Sequence, residues 1–208
     1  IFTNLIKKAL SVNPQMRVCI LMGKIDLVKQ TEAVLLRFFD YGQVGVFCGS
    51  LNRRENHKQI TVCSIESMKD FNPVNLIIVD EVHKMDQDEG SYIDFIDYME
   101  HLNPKLKTLG FTATPYREDG YIYGHDKFFK HVVYEKSLKE MIKLGVLVPP
   151  KMRGSKESFD TSKLHIRAGE FRQEEVDKLV DDERKVTTQI REALVRMEGR
   201  KCVAWACA

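Results

Sequence analysis

The sequence predicts an α/β chain built on a mainly parallel sheet. Three observations predict it. Short apolar, β-branched runs of strand length recur along the chain, the segments between them place apolar residues at helical spacing, and acidic or hydroxyl residues stand where two of the runs end. Strands covered by helices on both faces lose the apolar–polar alternation of half-exposed strands and read as continuous hydrophobic runs. Alternation of such runs with helical segments argues for βαβ units.

Five runs read as strands: residues 17–22, 43–47, 60–64, 76–79 and 108–112. Residues 26–39 carry Leu27, Val28, Val34, Leu35 and Phe38 at helical spacing, with Asp26 placed to cap. Residues 92–102 repeat the pattern through Ile93, Ile96, Tyr98 and Met99. Right-handed crossovers bring the carboxyl ends of parallel strands to one edge, where ligands of open α/β sheets bind. After Pro115 the character changes. Residues 116–131, rich in Gly, Tyr, Lys and Asp, read as an irregular crossover. Residues 137–144 form a short amphipathic helix with Gly145 as its C-cap. Residues 146–148 then run extended into Pro149-Pro150, and residues 151–169 are polar and loop-like. Residues 171–197 hold two helical stretches, the second with Val186, Ile190, Leu194 and Met197 on a stripe that reads as core.

Composition bounds the function. A chain of 208 residues, 43% hydrophobic, can bury one good core and part of another. Residues 1–115 carry 13 basic and 14 acidic side chains, and residues 116–208 carry 19 and 16. The balance is −1 and then +3, so bulk charge gives no support for nucleic-acid binding, which must rest on local patches. No apolar stretch approaches the twenty residues of a membrane span, and no signal-peptide pattern is visible. Cys19, Cys48 and Cys63 fall in or beside strand runs and read as buried thiols. Cys202 and Cys207 lack the histidine partners of a zinc site. A reduced, cytoplasmic setting is expected.

The chemistry concentrates where two runs end. Leu76-Ile77-Ile78-Val79 leads into Asp80-Glu81-Val82-His83, and the next run leads into Thr112-Ala113-Thr114-Pro115. Two adjacent carboxylates at a strand end suit a divalent metal and a nucleotide phosphate, one holding Mg2+ while the other activates water. An acidic pair after a strand also caps the next helix. The hydroxyl-flanked run at this distance favours the site over the cap.

These residues resemble motifs II and III of superfamily 2 helicases and translocases, the DEAD/DEAH-type ATPases with RecA-like cores. The run from Gly110 to Arg117 and that from Leu138 to Pro150 are most similar to RadD-like DNA repair helicases, and the wider XPB/UvrB-like branch shares part of the pattern. The resemblance implies a parallel-sheet RecA-like (P-loop NTPase) domain over residues 1–133. Residues 134–208 would be an interdomain segment and the start of a second RecA-like domain, its first strand at residues 201–208. Relatives carry a Gly-x-x-x-x-Gly-Lys-Ser/Thr loop just before a helix like residues 2–10, and this sequence has none. The domain is therefore expected to be incomplete at its N-terminus and inactive alone, with ATP hydrolysis belonging to the longer protein.

The resemblance also implies roles. Asp80 would hold Mg2+, Glu81 would polarise the attacking water, and His83 would link the nucleotide site to motif III. Thr112, Ala113 and Thr114 would couple γ-phosphate loss to domain movement. Gly23, Lys24 and Gln30 match motif Ia, Gly49, Ser50 and Arg53 motif Ib, and Ser64 and Ser67 motif Ic, all expected to contact nucleic acid. ATP and Mg2+ are the implied cofactors. DNA, favoured over RNA, and repair or phage recombination proteins are the implied partners, in the cytoplasm of a bacterial or phage-infected cell. An RNA helicase, or a non-catalytic nucleic-acid-binding or docking module, stands as the alternative. A metal-dependent nuclease would need more carboxylates converging on Asp80 and Glu81 than the sequence offers.

Overall fold

Phe2–Val12 (α1), Val18–Met22 (β1), Ile25–Leu35 (α2), Val44–Cys48 (β2), Arg53–Arg54 (β3), Ile60–Ser64 (β4), Leu76–Val79 (β5), Ser91–Leu102 (α3) and Lys107–Gly110 (β6) follow one another along the chain. They come from a computed structural model that describes residues 2–67, 71–85, 90–117, 120–151, 159–167 and 170–199. The chain divides into two compact units, Ile1–Tyr134 and Glu135–Ala208.

In the first unit six strands form one sheet in the order β3-β2-β4-β1-β5-β6. Every pairing is parallel except that of the short edge strand β3 with β2. The parallel core is the expected one, and its continuous apolar strands have the expected cause. Alternate residues of each strand enter opposite faces. Val18, Ile20 and Met22 of β1 join Ile78 of β5, Ile6 of α1 and Val28 of α2 in one cluster. Cys19 and Leu21 join Ile77, Val79, Phe95 and Met99 in the other, where α3 lies. Ile78 has no exposed surface. Ile78→Ala is therefore expected to cost about 2–5 kcal/mol of unfolding free energy, since a sheet wedged between helices collapses poorly around a cavity. Urea titration of wild type and variant measures it, and a change below about 1 kcal/mol would contradict this packing.

Two boundaries differ from expectation for physical reasons. The cap of α2 is Lys24, whose carbonyl accepts from Leu27 and Val28, and no side chain caps it; Asp26 sits instead in the first turn, where a carboxylate favours the helix dipole. β6 ends at Gly110 rather than at Thr112 because a second obligation takes over the backbone. Phe111 N–H still reaches the Val79 carbonyl at 2.8 Å, but the Phe111 carbonyl turns to accept from Val82 N–H at 3.0 Å. A Cβ on Gly110 would stand 3.0 Å from both Val82 and Phe129, so glycine lets these segments close on the strand end. Two-residue strands Tyr116–Arg117 (β7) and Gly120–Tyr121 (β8) then pair antiparallel. The three strand cysteines are buried and free, with the Cys19 and Cys63 sulfurs 3.4 Å apart. Burial pushes the Cys63 thiol up, which keeps it unreactive.

The second unit holds Leu138–Lys143 (α4), the paired strands Ile166–Arg167 (β9) and Glu170–Phe171 (β10), and the helices Gln173–Val180 (α5) and Glu183–Met197 (α6). Ser137 and Glu140 form a reciprocal capping box on α4. Gly145, at φ +69°, ends it as expected. Residues 146–148 do not simply run on extended: Val146 and Leu147 N–H both turn back to the Met141 carbonyl. The stripe on α6 is not the core it was expected to be, for Ile190 and Leu194 remain 54% and 58% exposed. No helix among the described residues is long and apolar enough to cross a membrane. Residues 152–158 and 201–208, the latter expected to open another strand, lie outside the described residues.

Candidate functional site

Register places the carboxyl ends of five parallel strands on one rim. Met22 pairs with Ser64, Phe47 with Cys63, Leu21 with Val79, and Val79 with Gly110. The segments that leave this rim are Gly23-Lys24 after β1, Gly49–Leu51 after β2, Ile65–Ser67 after β4, Asp80-Glu81 after β5 and Phe111 to Thr114 after β6. The acidic pair and the hydroxyl-flanked alanine thus emerge side by side from adjacent strands.

Asp80 is pinned first. Its N–H donates to the Leu21 carbonyl at 3.1 Å, fixing the start of the turn to β1. Burial, with the Glu81 charge beside it, holds the Asp80 carboxyl above its ordinary range. Glu81 then adopts φ 52° and ψ 46°, the left-handed region, ahead of a tight 3-10 turn at Val82–Lys84. A non-glycine residue there costs about 1–3 kcal/mol unless its surroundings hold it. Val82 N–H on the Phe111 carbonyl and Lys84 N–H on the Glu81 carbonyl hold it. The Glu81 carboxylate is left 43% exposed at the rim.

His83 joins the two loops. Its Nδ1 lies 2.9 Å from Thr112 Oγ1 and 3.2 Å from Glu81 Oε2. A carboxylate at that distance selects the tautomer with the proton on Nδ1, which donates toward both oxygens. Thr112 Oγ1 also accepts the Thr114 N–H at 2.9 Å, which is why two threonines one residue apart form a defined loop. Ala113 and Thr114 are exposed beside it.

Of the residues expected to contact nucleic acid, Gly23, Lys24, Gly49 and Ser50 are exposed on the rim. Three stand off it. Ser64 ends a strand flanked on both sides and is only 6% exposed. Gln30 lies on α2 about 7–8 Å along the axis from the first residue, Ile25. Arg53 spends its guanidinium on Glu32, through two bonds at 2.8 Å, and on Glu55 at 2.7 Å. The Glu32 bonds hold its pKa well above the ordinary value despite partial burial. The Ser67 backbone closes the turn after β4, and its side chain lies outside the described residues.

The model of the family described as type III restriction enzyme, res subunit, matches residues 1–117, more than half the chain. The chain belongs to that family. The match covers the whole six-stranded sheet and both loops of the rim. Two curated relatives agree with it. The protein irc3 of Schizosaccharomyces pombe, named as a mitochondrial ATP-dependent helicase, is 36% identical over 110 residues, which is 49% of this chain and 18% of that protein. IRC3 of Saccharomyces cerevisiae, named as an ATP-dependent helicase, is 27% identical over 160 residues, 73% of this chain and 23% of that protein. The chain therefore spans about a fifth of the length of these relatives. Among solved structures, the type ISP restriction-modification enzyme LlaGI in complex with a DNA substrate mimic is 17% identical over 68% of this chain and 17% of its own, with a TM-score of 0.46. Sequence family, relatives and parallel sheet together give a superfamily 2 helicase-like, RecA-like unit.

The donor set tells which ion could bind. No group of three or more His, Cys, Asp or Glu side chains converges among the described residues, so a zinc-type cage does not fit. Mg2+ takes one or two carboxylates and fills its remaining positions with water and phosphate, so the Asp80 carboxylate could hold such an ion while Glu81 stays free of it. A cation there would also offset the burial that disfavours the Asp80 charge. Two neighbours were not foreseen. The Tyr92 hydroxyl stands 3.5 Å from where a Cβ on Gly23 would lie, and burial, with the Asp80 charge, pushes its pKa up. Arg117 binds the turn from behind. In the sequence Tyr92 only opens a helical range, and the fold is what brings its hydroxyl beside the ends of β1 and β5.

Proposed function

We propose that the full-length protein is an ATP-dependent DNA translocase or helicase of the RadD-like kind, serving repair or recombination. On this reading residues 1–133 belong to the ATP-binding lobe and residues 134–208 lead into a second RecA-like lobe. The observation that carries the proposal is the His83–Thr112 contact, which ties the dyad loop to the hydroxyl loop on the rim where nucleotide and strand would both lie. Mg2+–ATP, when bound, supplies the phosphoryl group that is transferred to water, and Asp80 would hold the ion. Glu81 orients the attacking water and takes its proton, its exposed carboxylate aimed by a turn that packing fixes. His83 keeps Glu81 and Thr112 in one hydrogen-bonded set. Gly23, Lys24, Gly49 and Ser50 position the phosphates of the tracked strand without reading its sequence.

Steady-state ATPase of the full-length protein with single-stranded DNA, duplex DNA or RNA tests the proposal. Stimulation by either DNA is the expected result. Stimulation by RNA alone would make it an RNA helicase, and no ATPase under any condition would leave a binding module. The rim also predicts which cation matters. Lys24→Ala is expected to weaken single-stranded DNA binding and to lower the slope of log affinity against log salt by about 1, as the loss of one phosphate contact does. Arg53→Ala is expected to leave that slope unchanged and instead to lower the thermal midpoint, because Glu32 and Glu55 lose their partner. A salt slope that shifts with Arg53 and not with Lys24 would reverse the assignment.

A further inference from the structure

Arg117 has no part in the proposed reaction, yet its guanidinium reaches under the turn that carries the dyad. Nε–H donates to the His83 carbonyl at 2.8 Å and Nη2–H to the Met85 carbonyl. The turn's own bonds run from Lys84 to the Glu81 carbonyl and from Met85 to the Val82 carbonyl. Those two bonds use the carbonyls of Glu81 and Val82, and Arg117 takes the carbonyls of His83 and Met85. A planar guanidinium spans two carbonyls in a fixed geometry that a lysine ammonium cannot reproduce. His83 is therefore held twice by one short segment: its ring by Thr112 and its carbonyl by Arg117.

We infer that Arg117 is a positioning residue that locks the Glu81–His83 turn to the segment from Thr112 to Arg117, so that the two loops move as one body. The inference rests on the proposed ATPase reading. Glu81 sits in left-handed backbone that a freed turn would leave. Arg117, acting through the backbone and touching no substrate, sets where the carboxylate stands. When the hydroxyl loop shifts, the dyad must shift with it.

The test uses Arg117→Ala and Arg117→Lys in the full-length protein, with amide hydrogen exchange read by mass spectrometry alongside DNA-stimulated ATPase. Arg117→Ala is expected to speed exchange across Val82 to Met85 about tenfold or more, with exchange across β1 and β4 unchanged. It is expected to lower kcat by about tenfold while KM for ATP stays within about twofold, because misplacing a catalytic group costs turnover rather than binding. Arg117→Lys, able to keep one of the two bonds, should recover part of both effects. Unchanged exchange in the turn overturns the inference, and so does a wild-type kcat. Exchange that rises equally through β1 and β4 overturns it too, since Arg117 would then serve the fold at large. If the wild-type protein shows no ATPase, the proposed function fails, while the exchange measurement still decides whether Arg117 fixes the turn.

Discussion

Glu81→Gln in the full-length protein is expected to bind ATP with unchanged affinity and to hydrolyse it at least about 10² times more slowly. Glutamine keeps the length of the side chain and its acceptor oxygen, so the Nδ1–H of His83 retains its partner 3.2 Å away. The left-handed backbone at Glu81 is held by bonds from Val82 and Lys84 that do not involve its side chain, so the turn survives the substitution. What disappears is the negative charge and the ability to accept a proton from water. Binding and hydrolysis are separated by measuring nucleotide affinity by equilibrium dialysis and turnover by phosphate release on the same preparation. Turnover that stays at the wild-type rate would remove Glu81 as the general base. Loss of binding together with turnover would point to a collapsed turn, and an unchanged Val82 to Met85 exchange pattern would exclude that collapse.

Much of this was legible in the sequence because burial leaves a plain mark. Ile60–Ser64 and Leu76–Val79 appear where their apolar runs stand, since both faces of each strand are covered and every position must be apolar or small. The pairing of the acidic dyad with Thr112 was legible for a similar reason: strand ends in a parallel sheet share a rim whatever the intervening helices do. Side-chain partnerships were not. Arg53 reads as a surface cation beside a glycine-serine turn, and nothing local reveals that Glu32, 21 residues earlier, is waiting for it across the fold. Ser64 reads as a strand-end hydroxyl, and only the strand order shows it buried between neighbours. The α6 stripe misleads for the opposite reason. Periodicity gives a helix an apolar face, but Ile190 and Leu194 show that it does not by itself bury that face. Arg117 escaped because its acceptors are backbone carbonyls, which carry no residue identity at all.

Thr112→Ala combined with Thr114→Ala is expected to leave DNA-stimulated ATPase within a few fold of wild type and to cut strand unwinding about tenfold or more. The geometry assigns most of that effect to one hydroxyl. Thr112 Oγ1 meets both His83 Nδ1 and the Thr114 N–H, so one oxygen joins the His83 ring to the fold of the hydroxyl loop. Thr112→Val removes that oxygen while keeping the side-chain shape, and should reproduce nearly the whole deficit of the double variant. The His83 ring then keeps Glu81 as an acceptor, which leaves the dyad intact for hydrolysis, while its tie to the hydroxyl loop falls back on the Val82–Phe111 backbone bond and on Arg117. Thr114 is an exposed residue, so water can take up its freed N–H and the fold should lose little. Paired ATPase and unwinding assays on the full-length protein separate the two functions. Equal loss of both would make Thr112 part of the chemistry, and no loss of unwinding would show that the Val82–Phe111 bond and the Arg117 contact suffice to carry motion between the loops.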